Sequence, residues 1–156
     1  MKEPGPYSKL EKWNLLLAVL GERGVPGTPS RRWRKLWLDG GTTVGKMVEF
    51  MTSILADIGQ GTPRRRYCFT MDNLNSHHNG AISALIYASG HRIVFRAPYY
   101  PVDGPIEYVF NTLQCMLRTR LHKVIDGPSL INEIGNVIQA MINFEPYFIH
   151  CGFWRN

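Results

Sequence analysis

The segment FTMDNLNSHHNG, residues 69–80, joins the end of an apolar run to an acid, and then to two asparagines, a serine and a histidine pair. The run that leads into it, RRYCFTM (65–71), has the length and the residue types of a buried strand. In α/β sheets, binding clefts open at the carboxyl ends of the strands, so Asp72 stands where a functional carboxylate is expected. The alternative is structural, because Asp72 and Asn73 can also form an Asx turn.

The rest of the chain predicts strands interspersed with helices. Apolar runs and alternating patterns predict strands at 12–21, 31–39, 65–71 and 91–96. Apolar residues at helical spacing predict a helix that Thr42 or Thr43 caps and Gly59 ends, a short helix over about 79–89, a helix that begins at Pro105, and a final helix started by Asp126 and Pro128. This order of elements predicts an α/β fold with a mixed sheet.

A second conspicuous acid lies in RAPYYPVDGPIEYVF, residues 96–110, where Glu107 comes two residues after Pro105 in the first turn of a predicted helix. The helix dipole alone favours an acid there, which is the structural explanation. Asp72 and Glu107 together suit a hard divalent ion, because Mg²⁺ prefers a few carboxylates with water and phosphate oxygens. If the site holds two ions about 3.5–4 Å apart, at least one carboxylate must bridge them.

The composition favours an anionic partner. The 156 residues include 18 Lys and Arg against 12 Asp and Glu, a formal net charge of +6, which favours nucleic acid. Cys68, Cys115 and Cys151 have no CxxC spacing and are expected to be reduced intracellular thiols. The longest apolar run, WNLLLAVL (13–20), is far shorter than the roughly 18 residues of a membrane helix. The sequence therefore predicts neither a membrane partner nor a small-molecule cofactor.

Several basic and aromatic residues are candidate DNA contacts. Arg96 precedes the Pro-Tyr-Tyr-Pro loop and is the best candidate close to the acids. Tyr99 and Tyr100 can stack on a base or can pack the loop. The basic residues within 31–35 and 64–66 are either phosphate contacts or solvated faces, and the sequence does not decide between the two.

Taken together, these motifs resemble the DDE transposases of the Tc1/mariner and bacterial IS630-like superfamily. That family carries Asp-Asn on a strand, followed shortly by His, and then a PPYSPxxNPIE-type motif with 34 residues between the acids. This chain has Asp72-Asn73, then His77, then PYYPVDGPIE (98–107), and residues 73–106 make the same interval of 34. The similarity continues through GHRIVF (90–95) and IEYVFNTLQCMLRTRL (106–121).

The resemblance implies a ribonuclease H-like mixed sheet with flanking helices, in which Mg²⁺ or Mn²⁺ activates water or a DNA 3′-hydroxyl for attack on a phosphodiester. Asp72 would be the second acid of the catalytic triad and Glu107 the third, both as metal ligands. His77 would contact phosphate or the groups around the metal, and Asn73 would orient Asp72 or a bound water. The implied partners are transposon ends and target DNA, a homo-oligomer is left open, and the implied location is the nucleus of a eukaryotic host.

The first acid of the triad has no counterpart in the sequence. In the family it lies on a first strand, upstream of the segment that corresponds to 12–21, and residues 1–12 contain no Asp. In the ribonuclease H-like sheet order 3-2-1-4-5, Asp39 would end strand 3 and Asp72 strand 4, roughly 14 Å apart at about 4.8 Å per strand, which is too far to share a metal pair. We therefore expect residues 1–156 to be the C-terminal portion of a transposase catalytic domain, with the first strand and the N-terminal DNA-binding region absent.

Three functions fit these observations. The first is metal-dependent DNA cleavage and strand transfer at transposon ends, incomplete as written. The second is a catalytically inactive transposase remnant that binds DNA or another protein chain. The third, another ribonuclease H-like nuclease such as a resolvase, is disfavoured by the PYYPVDGPIE loop.

Overall fold

A computed structural model describes residues 14–21, 32–39, 42–71, 80–96, 104–141 and 143–153, with the backbone alone for 32–39. In chain order the described elements are strands and helices β1 (Asn14–Gly21), β2 (Arg32–Asp39), α1 (Val44–Ile58), β3 (Cys68–Met71), α2 (Gly80–Ala88), β4 (Arg92–Phe95), α3 (Pro105–Arg118), α4 (Gly127–Ala140) and α5 (Glu145–His150), with a 3-10 turn at Leu121–Lys123. The chain divides into two compact units. The terminal unit consists of Met1–Gly40 and Val102–Asn156, and the central unit of Gly41–Pro101.

The terminal unit contains an antiparallel strand pair, β1 and β2, and the helices α3, α4 and α5. Strands β1 and β2 pair in a register that places Asn14 opposite Asp39 and Gly21 opposite Arg32. Helix α3 packs against α4 and against α5. Leu15, Leu17 and Val19, at alternate positions of β1, contact the apolar core, so one face of that strand covers it. The buried core residues are Val109, Leu113, Ile134, Val137, Ile138, Met141 and Phe144.

Local sequence signals fix where α3 and α4 begin. Pro105 occupies the first turn of α3, where its missing N–H costs nothing, as the sequence predicts. At α4, Asp126 Oδ1 accepts the Ser129 N–H at 2.8 Å and Ser129 Oγ accepts the Asp126 N–H at 3.0 Å. This reciprocal capping box confirms Asp126 as the residue that starts the helix.

The central unit is built around a parallel strand pair. Strands β3 and β4 place Cys68 opposite Arg92 and Met71 opposite Phe95, and α2 comes between them in the chain, as parallel pairing requires. Helix α2 packs against α1 and β4. The buried apolar residues of this unit are Met47, Phe50, Met51, Ile54, Leu55, Ile82, Ile86 and Ile93.

The ends of α1 also follow the sequence. Thr43 is the cap, and its Oγ1 accepts the Lys46 N–H at 3.3 Å. Gly59 ends the helix with φ at 75°, a conformation that favours glycine, and its N–H donates to Leu55 O at 2.9 Å. The helix predicted between Thr43 and Gly59 is therefore confirmed.

The described strands form two pairs, one antiparallel and one parallel, where the sequence predicts one mixed sheet. Each pair joins strands that the predicted sheet order makes neighbours. The chain is therefore α/β, while its ribonuclease H-like arrangement stays a prediction. Strand β3 begins at Cys68, later than predicted, because Thr62 and Arg65 pair across a turn just before it. None of the helices in the described ranges is long and apolar enough to cross a membrane.

Candidate metal and nucleic-acid site

Glu107 is the predicted metal ligand that the structure describes. It lies in the first turn of α3, and its N–H donates to Gly104 O at 3.1 Å, which closes that turn. The side chain is half-buried, and its Oε2 atom is shielded from solvent. The N-terminal end of a helix carries a partial positive charge, which stabilises a carboxylate there. Glu107 is thus held on a rigid element with one carboxylate oxygen away from bulk water, and its role as a metal ligand stays a prediction.

Arg96 lies at the carboxyl end of the parallel strand pair. Its N–H donates to Met71 O at 2.9 Å, which extends the ladder by one bond beyond β4. Met71 is the last residue of β3, and Asp72 follows it in the chain. The backbone of Arg96 is therefore fixed beside the residue that precedes Asp72 in the chain, and its role as a DNA contact stays a prediction.

The other predicted site residues, Asp72, Asn73, His77, Tyr99 and Tyr100, lie outside the described residues. The metal site predicted from Asp72 and Glu107 therefore stays a prediction. Among the described residues, no three His, Cys, Asp or Glu side chains cluster closely enough to hold a metal ion.

An open cavity of about 460 Å³, which we call the arginine cavity, lies at the amino ends of β3 and β4. The described residues that line it are Pro63, Arg64, Arg66, Tyr67, Cys68 and Arg92. They include three exposed arginines and no carboxylate. Sequence reasoning noted Arg64 and Arg66 but missed Arg92. The alternation in RIVF places Arg92 and Val94 on the exposed face of β4, but nothing in the sequence pairs Arg92 with the basic run.

Two of the three arginines of the basic run face the cavity, and the third is engaged elsewhere. Thr62 and Arg65 exchange backbone hydrogen bonds of 2.9 and 3.1 Å across a tight turn with Pro63 and Arg64 at its tip. The Arg65 guanidinium donates to the Tyr67 hydroxyl through Nε at 2.9 Å and through a second nitrogen, and its Cζ lies 5.4 Å from the ring centroid. The three arginines of the run therefore have different surroundings, and all three are exposed.

A buried histidine holds the backbone beside the cavity. His91, only 3% exposed, accepts the Tyr67 N–H at Nδ1 over 3.3 Å. Because a backbone N–H can only donate, Nδ1 must be unprotonated. Nε2 then carries the proton and donates it to Gly59 O at 2.8 Å. Arg92 N–H in turn donates to Tyr67 O at 3.0 Å, so the end of α1 and the starts of both strands are tied together.

Comparison with known proteins places the chain by fold alone. No protein-family model matches it, and no curated protein sequence matches it. Four chains of solved structures match. One of them is a chain from the cryo-EM structure of the simian T-cell lymphotropic virus intasome in complex with PP2A regulatory subunit B56 gamma, with a TM-score of 0.55 and 13% sequence identity. The match covers 83% of this chain and 47% of that one, so this chain spans less than half of its length.

Proposed function

We propose that the chain is part of the catalytic domain of a Tc1/mariner- or IS630-like transposase, a class of enzyme that cleaves and joins DNA phosphodiester bonds with Mg²⁺ or Mn²⁺, and that it supplies two of the three acids of the triad. The observation that carries this proposal is the position of the two acids on the elements. Asp72 directly follows the last residue of β3, and Glu107 lies in the first turn of α3. In the family that the chain resembles, the second acid belongs to an Asp-Asn pair on a strand and the third to a proline-rich motif, which here is PYYPVDGPIE (98–107). The likeness to a chain of an intasome structure supports the same broad class of DNA-processing protein.

In this proposal Asp72 and Glu107 supply carboxylate oxygens to the divalent ion, which when bound polarises the phosphodiester and activates the attacking hydroxyl. The first turn of α3 holds the Glu107 backbone in place, so its carboxylate is carried by a rigid element. Arg96 would pair with a phosphate near the acids, because a guanidinium matches a phosphate bidentately. Asn73 and His77 would orient Asp72 and the DNA, and Tyr99 and Tyr100 would stack on a base.

A nicking assay tests the proposal directly. Purified chain is incubated with supercoiled plasmid and Mn²⁺, and the nicked form is measured over time. We expect Asp72→Asn and Glu107→Gln each to lower the rate by at least about 100-fold, since the outer partners of metal ligands alone are worth 10–100-fold. Glu49→Gln removes an equal charge from an exposed position on α1 and should leave the rate unchanged. Nicking that survives both site substitutions would refute the assignment.

A second candidate is a protein of the same origin that binds DNA, or another protein chain, without cutting. The arginine cavity favours it, because three arginines and no carboxylate are among the described residues that line it, and positive charge of this kind attracts the phosphate backbone. DNA binding by the purified chain without nicking in Mn²⁺ would support this candidate over the first. Nuclear location, action at transposon ends and self-association belong to the transposase proposal.

A further inference from the structure

The arginine cavity brings together charges that the sequence keeps apart. Arg64 and Arg66 come from the segment before β3, while Arg92 opens β4, directly opposite Cys68 in the parallel register. All three are exposed, so their guanidinium groups remain hydrated and available. Because the described lining contributes no carboxylate, these cations raise the local positive potential, and an incoming anion is attracted to them.

The scaffold around the arginine cavity is held in place before any ligand arrives. The turn with Arg64 at its tip is closed by the paired hydrogen bonds of Thr62 and Arg65. His91 connects the end of α1 to Tyr67, and the Gly61 N–H donates to Ser89 O at 2.8 Å. Binding therefore has to order the arginine side chains but not the backbone, which lowers its entropic cost.

The chemistry of the cavity fits a phosphodiester. A guanidinium presents a planar fork of donors that matches phosphate oxygens, and three such forks around one opening suit an oxyanion with several acceptors. The cavity is open to solvent, so a polymer can pass across it, whereas enclosure is typical of small-molecule sites. The formal net charge of +6 favours a polyanion over an isolated ion.

We propose that the arginine cavity is a docking site for the DNA backbone, in which Arg64, Arg66 and Arg92 hold a phosphate at the amino ends of β3 and β4. This inference rests on the proposed function only for the identity of the polymer. It assigns DNA contacts to residues other than Arg96 and the acids, and it gives the basic run before β3 a function.

The test compares two double variants that each lower the net charge by two. Arg66→Gln with Arg92→Gln removes charge from the arginine cavity, and Arg118→Gln with Lys123→Gln removes it from exposed positions elsewhere. Affinity for a DNA duplex is measured by fluorescence anisotropy over a range of salt concentrations. Each lost phosphate contact lowers the magnitude of the slope of log K against log salt by about 0.9, and the three arginines hold one phosphate, so we expect a fall of about 0.9 for the cavity variant. The control variant should keep the slope of the unaltered protein.

Cys68 provides a local readout of the same event. Its thiol is exposed and lines the cavity, so bound DNA should slow its alkylation at least about threefold in the unaltered protein but not in the cavity variant. Circular dichroism and thermal unfolding confirm that both double variants fold. Equal slopes for the two variants, or unprotected Cys68 in saturating DNA, would overturn this inference and leave the transposase proposal standing. Failure of the unaltered chain to bind DNA would overturn both.

Discussion

The close approach of Gly61 to Gly90 gives the sharpest test of the backbone scaffold. A Cβ built on Gly61 would clash with Gly90 O and would lie 2.5 Å from Gly90 C and 3.0 Å from His91 Nδ1. Carbon atoms pack at about 3.5–4.0 Å, so the two segments would have to separate by roughly 1 Å. Substitution Gly61→Ala therefore cannot be absorbed by a rotating side chain, because the obstacle is backbone.

The cost follows from the bonds that this separation breaks. The Gly61 N–H to Ser89 O hydrogen bond of 2.8 Å would be lost, and the displaced His91 would weaken its bonds to Gly59 and Tyr67. At about 1 kcal/mol per hydrogen bond, two or three such losses amount to about 2–3 kcal/mol. A Gly→Ala change restores about 0.4–1 kcal/mol by restricting the unfolded chain. We therefore expect Gly61→Ala to lower the free energy of unfolding by about 2 kcal/mol.

Urea unfolding followed by far-UV circular dichroism measures this change. The matched control is Gly80→Ala at the start of α2, where an added Cβ meets nothing within 4 Å. That control should be neutral or stabilising by up to about 1 kcal/mol, since alanine favours helix. If Gly61→Ala were as stable as the unaltered protein, the close approach and the network built on it would be wrong.

Two further predictions concern α4. Glu133, a buried carboxylate, accepts hydrogen bonds from Arg120 at 3.2 Å and from Asn136 at 3.3 Å. Arg120→Ala leaves this acceptor without one partner, so it should cost about 1–3 kcal/mol in urea unfolding. Glu133→Gln combined with Arg120→Ala should recover part of that loss, and no recovery would contradict the pairing. At the start of α4, hydrogen bonds from the N–H of Ser129, and next from its hydroxyl, hold the pKa of Asp126 below its ordinary value of 3.8. The charged Asp126 side chain therefore stabilises the folded protein fully above pH 3.8, and this stabilisation is lost as the pH falls through the lowered pKa. Asp126→Asn keeps a capping side chain but removes the charge. The free energies of unfolding of the unaltered protein and of Asp126→Asn, measured from pH 5 to pH 2.5, should therefore converge at low pH. A difference that stays constant over this range would exclude the contribution of the lowered pKa.

Helix ends were predictable from the sequence because single residues determine them. Thr43, Gly59, Pro105 and Asp126 act through their own side chains or backbone preferences, within one turn of the helix they begin or end. Helix α5 was missed because six residues are too few to show a helical period. Helix ends that depend on a single residue can be predicted from one sequence, whereas short helices that depend on packing cannot.

The arginine cavity shows what the sequence alone does not predict. The basic run before β3 offers three arginines of the same type, and only their contacts in the folded chain distinguish them. Tyr67 engages Arg65, while the parallel register brings Arg92 to the other two. The role of His91 was equally hidden, because its partners, Gly59 and Tyr67, become neighbours only when the chain folds back.

The arginine cavity and the predicted metal ligand Asp72 belong to opposite ends of β3. Cys68 lines the cavity at the start of the strand, and Asp72 follows Met71 at its end. The four residues of β3 span about 10 Å from first to last. Phosphates along one strand of a duplex follow each other at about 3.4 Å, so this length corresponds to about three phosphates. A phosphate held in the cavity is therefore not the one that Asp72 would act on. The cavity variant should consequently lose the same factor in affinity for intact and for nicked duplex when both are measured without divalent ions, and a loss confined to one of them would place the arginines at the reacting bond instead.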